Sequence, residues 1–189
     1  MSPDIEQAVH LLKAGELVAF PTDTVYGLGA DAMNPAALAK IFAIKERPLD
    51  RPLAVLLPDV RFVTQWARDI PESFWNLAQQ YWPGPLTIIL KRAPGMDDIL
   101  TAGRDTIGLR VPDHPVALAL LNAFGHGMAT TSANLSGHPS PTTAQAVRQE
   151  LGSSIPLILD GDCPLGLEST ILDLSGPEPT YLRLGSLRP

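Results

Sequence analysis

Nineteen prolines and fifteen glycines punctuate the 189-residue chain, and their spread constrains the fold more than any other feature. They cut the sequence into short apolar segments, with no internal repeat, low-complexity run or long linker. A chain divided this way must fold as many short elements joined by tight loops. Ser2-Pro3 opens a helix that puts Ile5, Ala8, Val9 and Leu12 on one face and stops at Gly15. Asn34-Pro35 starts a second, burying Leu38, Ile41 and Phe42. A third carries Phe74, Leu77, Ala78 and Tyr81 up to Pro83-Gly84-Pro85. His114-Pro115 opens a fourth with Ala117, Leu118, Leu121 and Phe124 inward, and Thr142 or Thr143 caps a fifth through Ala144, Val147 and Leu151.

Between the helices lie runs of four to six residues bounded by Gly, Pro or Asp, as strands should be. They are LVAF (17–20), LAVLL (53–57), LTIIL (86–90), TIGLRV (106–111), MATTS (128–132), PLILD (156–160) and STILDL (169–174), with a last strand around Arg183. Helices and strands interleave without strict βαβ alternation. The expectation is a single α/β domain over residues 1–189, built on a mixed, twisted sheet with flanking helices.

Composition narrows the class. At 45% hydrophobic and 18% charged, the chain has the make-up of an ordinary globular protein. It has no apolar stretch of the roughly 18 residues needed to span a bilayer, so no membrane role is expected. The N-terminus lacks the basic start and apolar core of a secretory signal. One cysteine, Cys163, leaves no internal disulfide. These features together predict a cytoplasmic protein. A net charge of −6 argues against broad electrostatic attraction to nucleic acid as the main activity.

Common catalytic signatures are missing. There is no GxxxxGK[ST], and GLGADA (27–32) matches a dinucleotide fingerprint only loosely, without joining a strand directly to a helix. There is no GxSxG, and His10, His114, His126 and His138 lack metal-ligand spacing, so surface or capping roles are expected for them and no protein metal ligand. What remains is a series of polar clusters at strand ends. PTDTVYGLG (21–29) alternates hydroxyls with an aspartate. KERPLDRP (45–52) holds Lys45, Arg47 and Arg51 on a proline-stiffened backbone, suiting an anion. Arg110 sits inside an apolar run and needs either a protein carboxylate or a ligand. ATTSANLSGHPSPTT (129–143) crowds hydroxyls and an amide at a strand end, and GLESTILDL (166–174) with YLRLG (181–185) adds Ser169, Thr170 and Arg183.

In this order the clusters resemble the YrdC-like family, the L-threonylcarbamoyladenylate synthases. The resemblance runs through PTDTVYGLG, KERPLDRPL, YWPGPLTIIL, IGLRVPDHP, TSANLSGHPSPTT and ESTILD, over about residues 5 to 185. It implies a twisted α/β sheet around a large, positively lined cavity. It further implies that L-threonine and bicarbonate form a carbamate, which attacks the α-phosphorus of ATP, carried with Mg²⁺, and releases pyrophosphate. The product would pass to a transferase complex that modifies tRNA. Matching positions assign Thr24, Arg110, Thr130 and Thr170 to threonine. They assign Lys45, Arg47, Arg51, Ser132, Asn134, Ser140 and Arg183 to the nucleotide, with Thr106 near the adenylate. Lys45 and Arg47 supply charge stabilisation, and no acid or base is assigned. Arg51 stands where many members carry asparagine, and Leu56 where some carry histidine. The end of the chain soon after Arg183 suggests the short, single-domain type. Two alternatives share these motifs: a module binding tRNA or double-stranded RNA, for which weak affinity is an additional expectation, and a paralogue handling another carbamoyl compound.

Overall fold

The computed structural model describes residues 2–187. Seven α-helices are formed among them: α1 (Pro3–Lys13), α2 (Pro35–Lys45), α3 (Val63–Trp66), α4 (Glu72–Tyr81), α5 (Asp98–Thr101), α6 (Pro115–Phe124) and α7 (Ala144–Leu151). The strands are β1 (Val18–Phe20), β2 (Gly27–Asp31), β3 (Ala54–Leu56), β4 (Ala67–Arg68), β5 (Leu86–Arg92), β6 (Thr106–Arg110), β7 (Met128–Ser132), β8 (Leu157–Ile158), β9 (Thr170–Asp173) and β10 (Thr180–Arg183).

Local chemistry sets the helix starts. Ser2, Asn34, His114 and Thr143 each accept a backbone N–H from the first turn of α1, α2, α6 and α7. In three of these helices a proline follows in the first turn, where its missing N–H costs nothing. His114 serves doubly, because its Nε2–H also donates to the carbonyl of Asp162 at 3.0 Å.

The strands form one mixed sheet in the order β10-β9-β5-β6-β3-β7-β2-β1-β8, with β4 paired to β5. Three pairs are parallel (β3 with β6, β5 with β9, β1 with β8) and the rest antiparallel. This is the mixed α/β sheet that the sequence predicts.

Side chains alternate between the two faces of a strand. Leu17, Ala19, Val55, Leu57, Leu86, Ile88, Leu90, Ile107, Leu109, Ala129 and Leu172 enter the larger core, with α2, α4 and α7. On the opposite face α1 and α6 pack over Val18, Phe20, Leu56, Met128 and Leu159. These two helices cover only part of that face. The rest of it forms the floor of a cavity.

Several details differ from the sequence reading, among them the short helices α3 and α5. In α6 the inward residues are Ala117, Leu120, Leu121 and Phe124, with Leu118 only partly buried. PLILD contributes just Leu157–Ile158, and Ala67–Arg68 is an additional short strand. Most consequential, GLGAD is a fully paired strand between β1 and β7, although glycine disfavours strands. The reason is space: a Cβ on Gly27 would lie 2.9 Å from Thr130 Cγ2, and one on Gly29 2.8 Å from both Phe20 Cε1 and Met128 Sδ. The neighbouring side chains occupy the room that a side chain here would take. Gly29→Ala is therefore expected to destabilise the fold by about 1–3 kcal/mol through overpacking. The measurement is the urea midpoint with its slope; an unchanged midpoint would show that Phe20 and Met128 yield freely.

Candidate active site

The cavity has a volume of about 250 Å³. Its floor follows from strand alternation: Ala54, Leu56, Thr87, Arg110, Thr130, Ser132 and Ile171 point opposite to the larger core. The segment after β1 closes one side with Thr22 and Thr24, and Arg47, Glu168, Ser169 and Arg183 close the other sides.

Arg110 ends β6 and is 5% exposed, as is Thr22's neighbour Asp23 at 4%. Its Nη2 donates to Asp23 Oδ1 in a buried ion pair. Nη1 donates to Thr24 Oγ1 at 3.0 Å, and Nε to the carbonyl of Gly84 at 2.9 Å. Burial works against the charged guanidinium, and Asp23 supports it. Thr22 and Thr24 share a hydrogen bond of 2.9 Å, while Thr22 Oγ1 accepts the N–H groups of Thr24 and Val25 and so fixes the turn.

Lys45 closes α2 and is 1% exposed. Its Nζ donates to the carbonyl of Ser132 at 2.5 Å, to the carbonyl of Asn134, and to Asn134 Oδ1 at 3.1 Å. An ammonium has three protons, so all are used within the protein. Ser132 Oγ donates to the same Oδ1 at 2.6 Å, and Asn134 Nδ2 to the carbonyl of His138 at 2.6 Å. Lys45 thus builds the strand-end segment rather than reaching into the cavity. Desolvation, together with the charge of Arg47, lowers its pKa to about 8.

Arg47 does reach the cavity. Its Nε and Nη2 hold the carbonyls of Arg51 (3.3 Å) and Pro52 (2.9 Å), folding the loop back under the guanidinium. On the far side, Arg183 Nε donates to the carbonyl of Ser169 at 3.0 Å and Nη2 to its hydroxyl at 3.3 Å. That hydroxyl in turn pairs with Thr87 at 2.8 Å. Register shifts between Tyr181 and Arg183, a bulge in an otherwise exposed edge strand that can re-aim a side chain. Glu168 accepts the Ser140 hydroxyl at 2.5 Å, which holds its carboxyl below the usual range.

Among the described residues, most cations outside the cavity face a carboxylate: Arg68 with Asp69 and Asp105, Arg92 with Asp98, Arg148 with Asp160, Lys40 with Glu16. Lys45, Arg47 and Arg183 are instead held by carbonyls and hydroxyls. Neutral acceptors fix a cation's position without neutralising it, so Arg47 and Arg183 can meet an anion in the cavity, while Lys45 lies behind its wall. The cavity can hold a polyanion near Arg47 and Arg183 and a carboxylate near Arg110.

Of the residues singled out in sequence, Thr24, Arg110, Thr130, Arg47, Ser132 and Arg183 line the cavity. Lys45 and Asn134 stand directly behind Ser132, and Ser140 behind Glu168. Three lie elsewhere. Thr170 shares strand parity with Leu172, so it faces the core; its hydroxyl donates to the carbonyl of Leu187 and accepts the N–H of Gly185. Arg51 is exposed outside the lining. Thr106 is four residues upstream of Arg110, about 13 Å along the strand, opposite Lys91. Residues not assigned in sequence but present are Thr22, Thr87, Glu168 and Ser169, with Asp23 behind Arg110. The signal for Asp23 was the unmet need of Arg110 for a carboxylate.

A mixed α/β sheet with cations gathered at one uncovered face defines an α/β protein with an arginine-lined cavity. The Sua5/YciO/YrdC family model, described as telomere recombination, matches residues 10–185, and the chain belongs to that family. A threonylcarbamoyl-AMP synthase of Bacillus subtilis is 45% identical over 187 residues, which are 98% of this chain and 54% of that protein. One of Idiomarina loihiensis is 38% identical over 162 residues, 85% of this chain and 87% of that protein. The crystal structure of Pyrococcus abyssi Sua5 complexed with L-threonine superposes with a TM-score of 0.94 at 41% identity, covering 96% of this chain and 54% of that one. The chain therefore spans about half the length of the B. subtilis and P. abyssi proteins. Among the described residues, no helix is long and apolar enough to cross a membrane.

The lowered pKa of Lys45 has a sign that can be checked. Between pH 8 and 10.5 the unfolded chain holds more protons at this position than the folded one, so this group makes stability rise with pH there. The stability of the wild type relative to Lys45→Met is expected to be flat below pH 7 and to increase across that window. Denaturant titrations at each pH read it; a difference that falls with pH contradicts the assignment.

Proposed function

We propose that this protein is a threonylcarbamoyl-AMP synthase, forming threonylcarbamoyl-AMP and pyrophosphate from L-threonine, bicarbonate and ATP, as one unit over residues 1–189. The observation that carries this reading is the pairing of a buried arginine fork at one end of the cavity with carbonyl-held cations at the other. A carboxylate and a triphosphate need those two different sites. The names of the relatives, and threonine in the P. abyssi structure, support the same substrates.

In this proposal the threonine carboxylate docks on Arg110, beside the hydroxyls of Thr24 and Thr130. The amine adds to the carbon of bicarbonate with loss of water, giving a carbamate. A carbamate oxygen then attacks the α-phosphorus, and the bond to the β,γ-pyrophosphate breaks. Arg47 and Arg183 take up charge on the phosphates beside Ser132, while Lys45, Asn134 and Ser140 hold that wall in place. Thr170 supports the strand that carries Ser169. Arg51 and Thr106, both outside the lining, would meet the nucleotide from beyond the cavity. Catalysis is then orientation plus charge stabilisation, with no protein acid or base assigned.

A triphosphate carries about four negative charges, so Mg²⁺ accompanies it in this scheme. Among the described residues, no group of three or more His, Cys, Asp or Glu is poised to hold a metal. In this proposal the cation is brought by the phosphates, and Glu168 is the one carboxylate of the lining. The ion would neutralise phosphate charge during attack. Delivery of the product to a tRNA-modifying transferase complex, weak contact with tRNA or double-stranded RNA, and a cytoplasmic location are extensions of the same proposal.

The deciding assay measures pyrophosphate release from ATP, Mg²⁺ and bicarbonate with and without L-threonine, using serine and valine as side-chain controls. Release independent of threonine or bicarbonate sinks the assignment. Arg110→Ala would strand the buried Asp23 charge, at roughly 3–5 kcal/mol, so lost activity would not separate binding from folding. Arg110→Lys keeps the charge but loses the fork. Its expected effect is a tenfold or larger rise in the KM for threonine with an unchanged KM for ATP.

A further inference from the structure

We propose that Asp23 is a positioning residue that sets how Arg110 meets the substrate carboxylate; this rests on the amino-acid reading of the cavity. A guanidinium has five N–H groups. Three are engaged by protein: Nε with the Gly84 carbonyl, Nη1 with Thr24 and Nη2 with Asp23. One N–H remains on each terminal nitrogen, and two such groups make a two-pronged bond to a carboxylate when both lie on the edge away from Nε. Which edge carries that free pair depends on where the protein holds the other N–H groups.

Asp23 is the charged member of that set and is itself fixed. Its Oδ1 also accepts the backbone N–H of Asp113 at 3.1 Å, and its carbonyl accepts the N–H of Leu165 at 3.0 Å. The carboxylate is thus pinned from the segment after β6, and the backbone that carries it from the segment before β9. Asp23 Oδ2 is buried without a hydrogen-bond partner, so the carboxylate faces Arg110 with one oxygen only. Asp23 does not line the cavity and acts through Arg110. A neutral group at this place would leave Arg110 buried with hydroxyl and carbonyl partners alone and with no charged partner to fix the direction of its fork.

The test uses the whole chain in the pyrophosphate assay, with L-threonine and L-threoninamide as alternative substrates. Asp23→Asn keeps the size and an acceptor oxygen but removes the charge. The KM for threonine is expected to rise at least tenfold, the KM for ATP to stay within twofold, and the wild-type preference for threonine over the amide to shrink in step. A purely structural role would lower the amount of active protein without moving either the KM or that preference. If Asp23→Asn does not fold, Asp23→Glu retains the charge and shifts the carboxylate by one methylene, and a threonine KM raised at least fivefold is expected. A folded variant with the wild-type threonine KM and preference overturns the inference. Failure of the activity itself is separate, since a wild type that ignores threonine shows it before any variant is made.

Discussion

The buried ion pair between Arg110 and Asp23 is the constraint on which the site depends. Removing two charges from water is expensive, and attraction alone repays it only when the remaining donors and acceptors are also satisfied. Arg110 meets this by reaching three separate backbone regions: Thr24 and Asp23 after β1, Gly84 before β5, and, through Asp23, Asp113 after β6. These segments are far apart in sequence and carry prolines that stiffen them. The pair turns them into one wall. It adds a side-chain tie to the backbone links, such as those of Tyr26 with Pro141 and Ala133, that relate the hydroxyls of Thr22 and Thr24 to the floor made by β3, β6 and β7.

The second organising fact is that charge is distributed by partner type rather than by number. The chain carries a net charge of −6, yet three arginines line its cavity against one glutamate. Many of the acidic residues neutralise surface cations, where such pairs add little to stability. Arg47 and Arg183 are instead oriented by carbonyls, which fixes their geometry without a direct carboxylate hydrogen bond. An overall acidic protein can therefore present a positive cavity without being attractive to polyanions over its whole surface.

The helix starts and the mixed sheet were legible because capping residues, prolines and short apolar runs act locally. Strand alternation was equally present in the letters: in TIGLRV, Ile107, Leu109 and Val111 alternate with Thr106, Gly108 and Arg110. Reading that parity through STILDL separates Thr170, on the side of Leu172, from Ser169 and Ile171, which line the cavity. Motif matching alone did not separate them. The strand at Gly27–Asp31 was hidden because its glycines answer to Phe20, Thr130 and Met128, neighbours known only from the fold. Asp23 was hidden for a similar reason, since it lies 87 positions from its partner. Arg110 announced that a partner was needed, but the sequence could not choose between a carboxylate of the protein and one of a ligand. The structure supplies the first and leaves two N–H groups for the second.

Lys45 shows why residue type and residue role must be kept apart. In sequence it is a cation beside Arg47, and both suit an anion. In the fold its three protons go to the segment 132–134, so any nucleotide there would meet the hydroxyl of Ser132 that Lys45 and Asn134 hold in place. The lysine still contributes charge, because a buried ammonium among carbonyls is weakly screened and acts over several ångströms. Its long apolar stem lets α2 end in the protein interior, which a shorter cation could not do. One side chain thus joins a helix terminus, a strand end and the field of the cavity. That coupling explains how a loop rich in small polar residues acquires a defined shape beside the cavity.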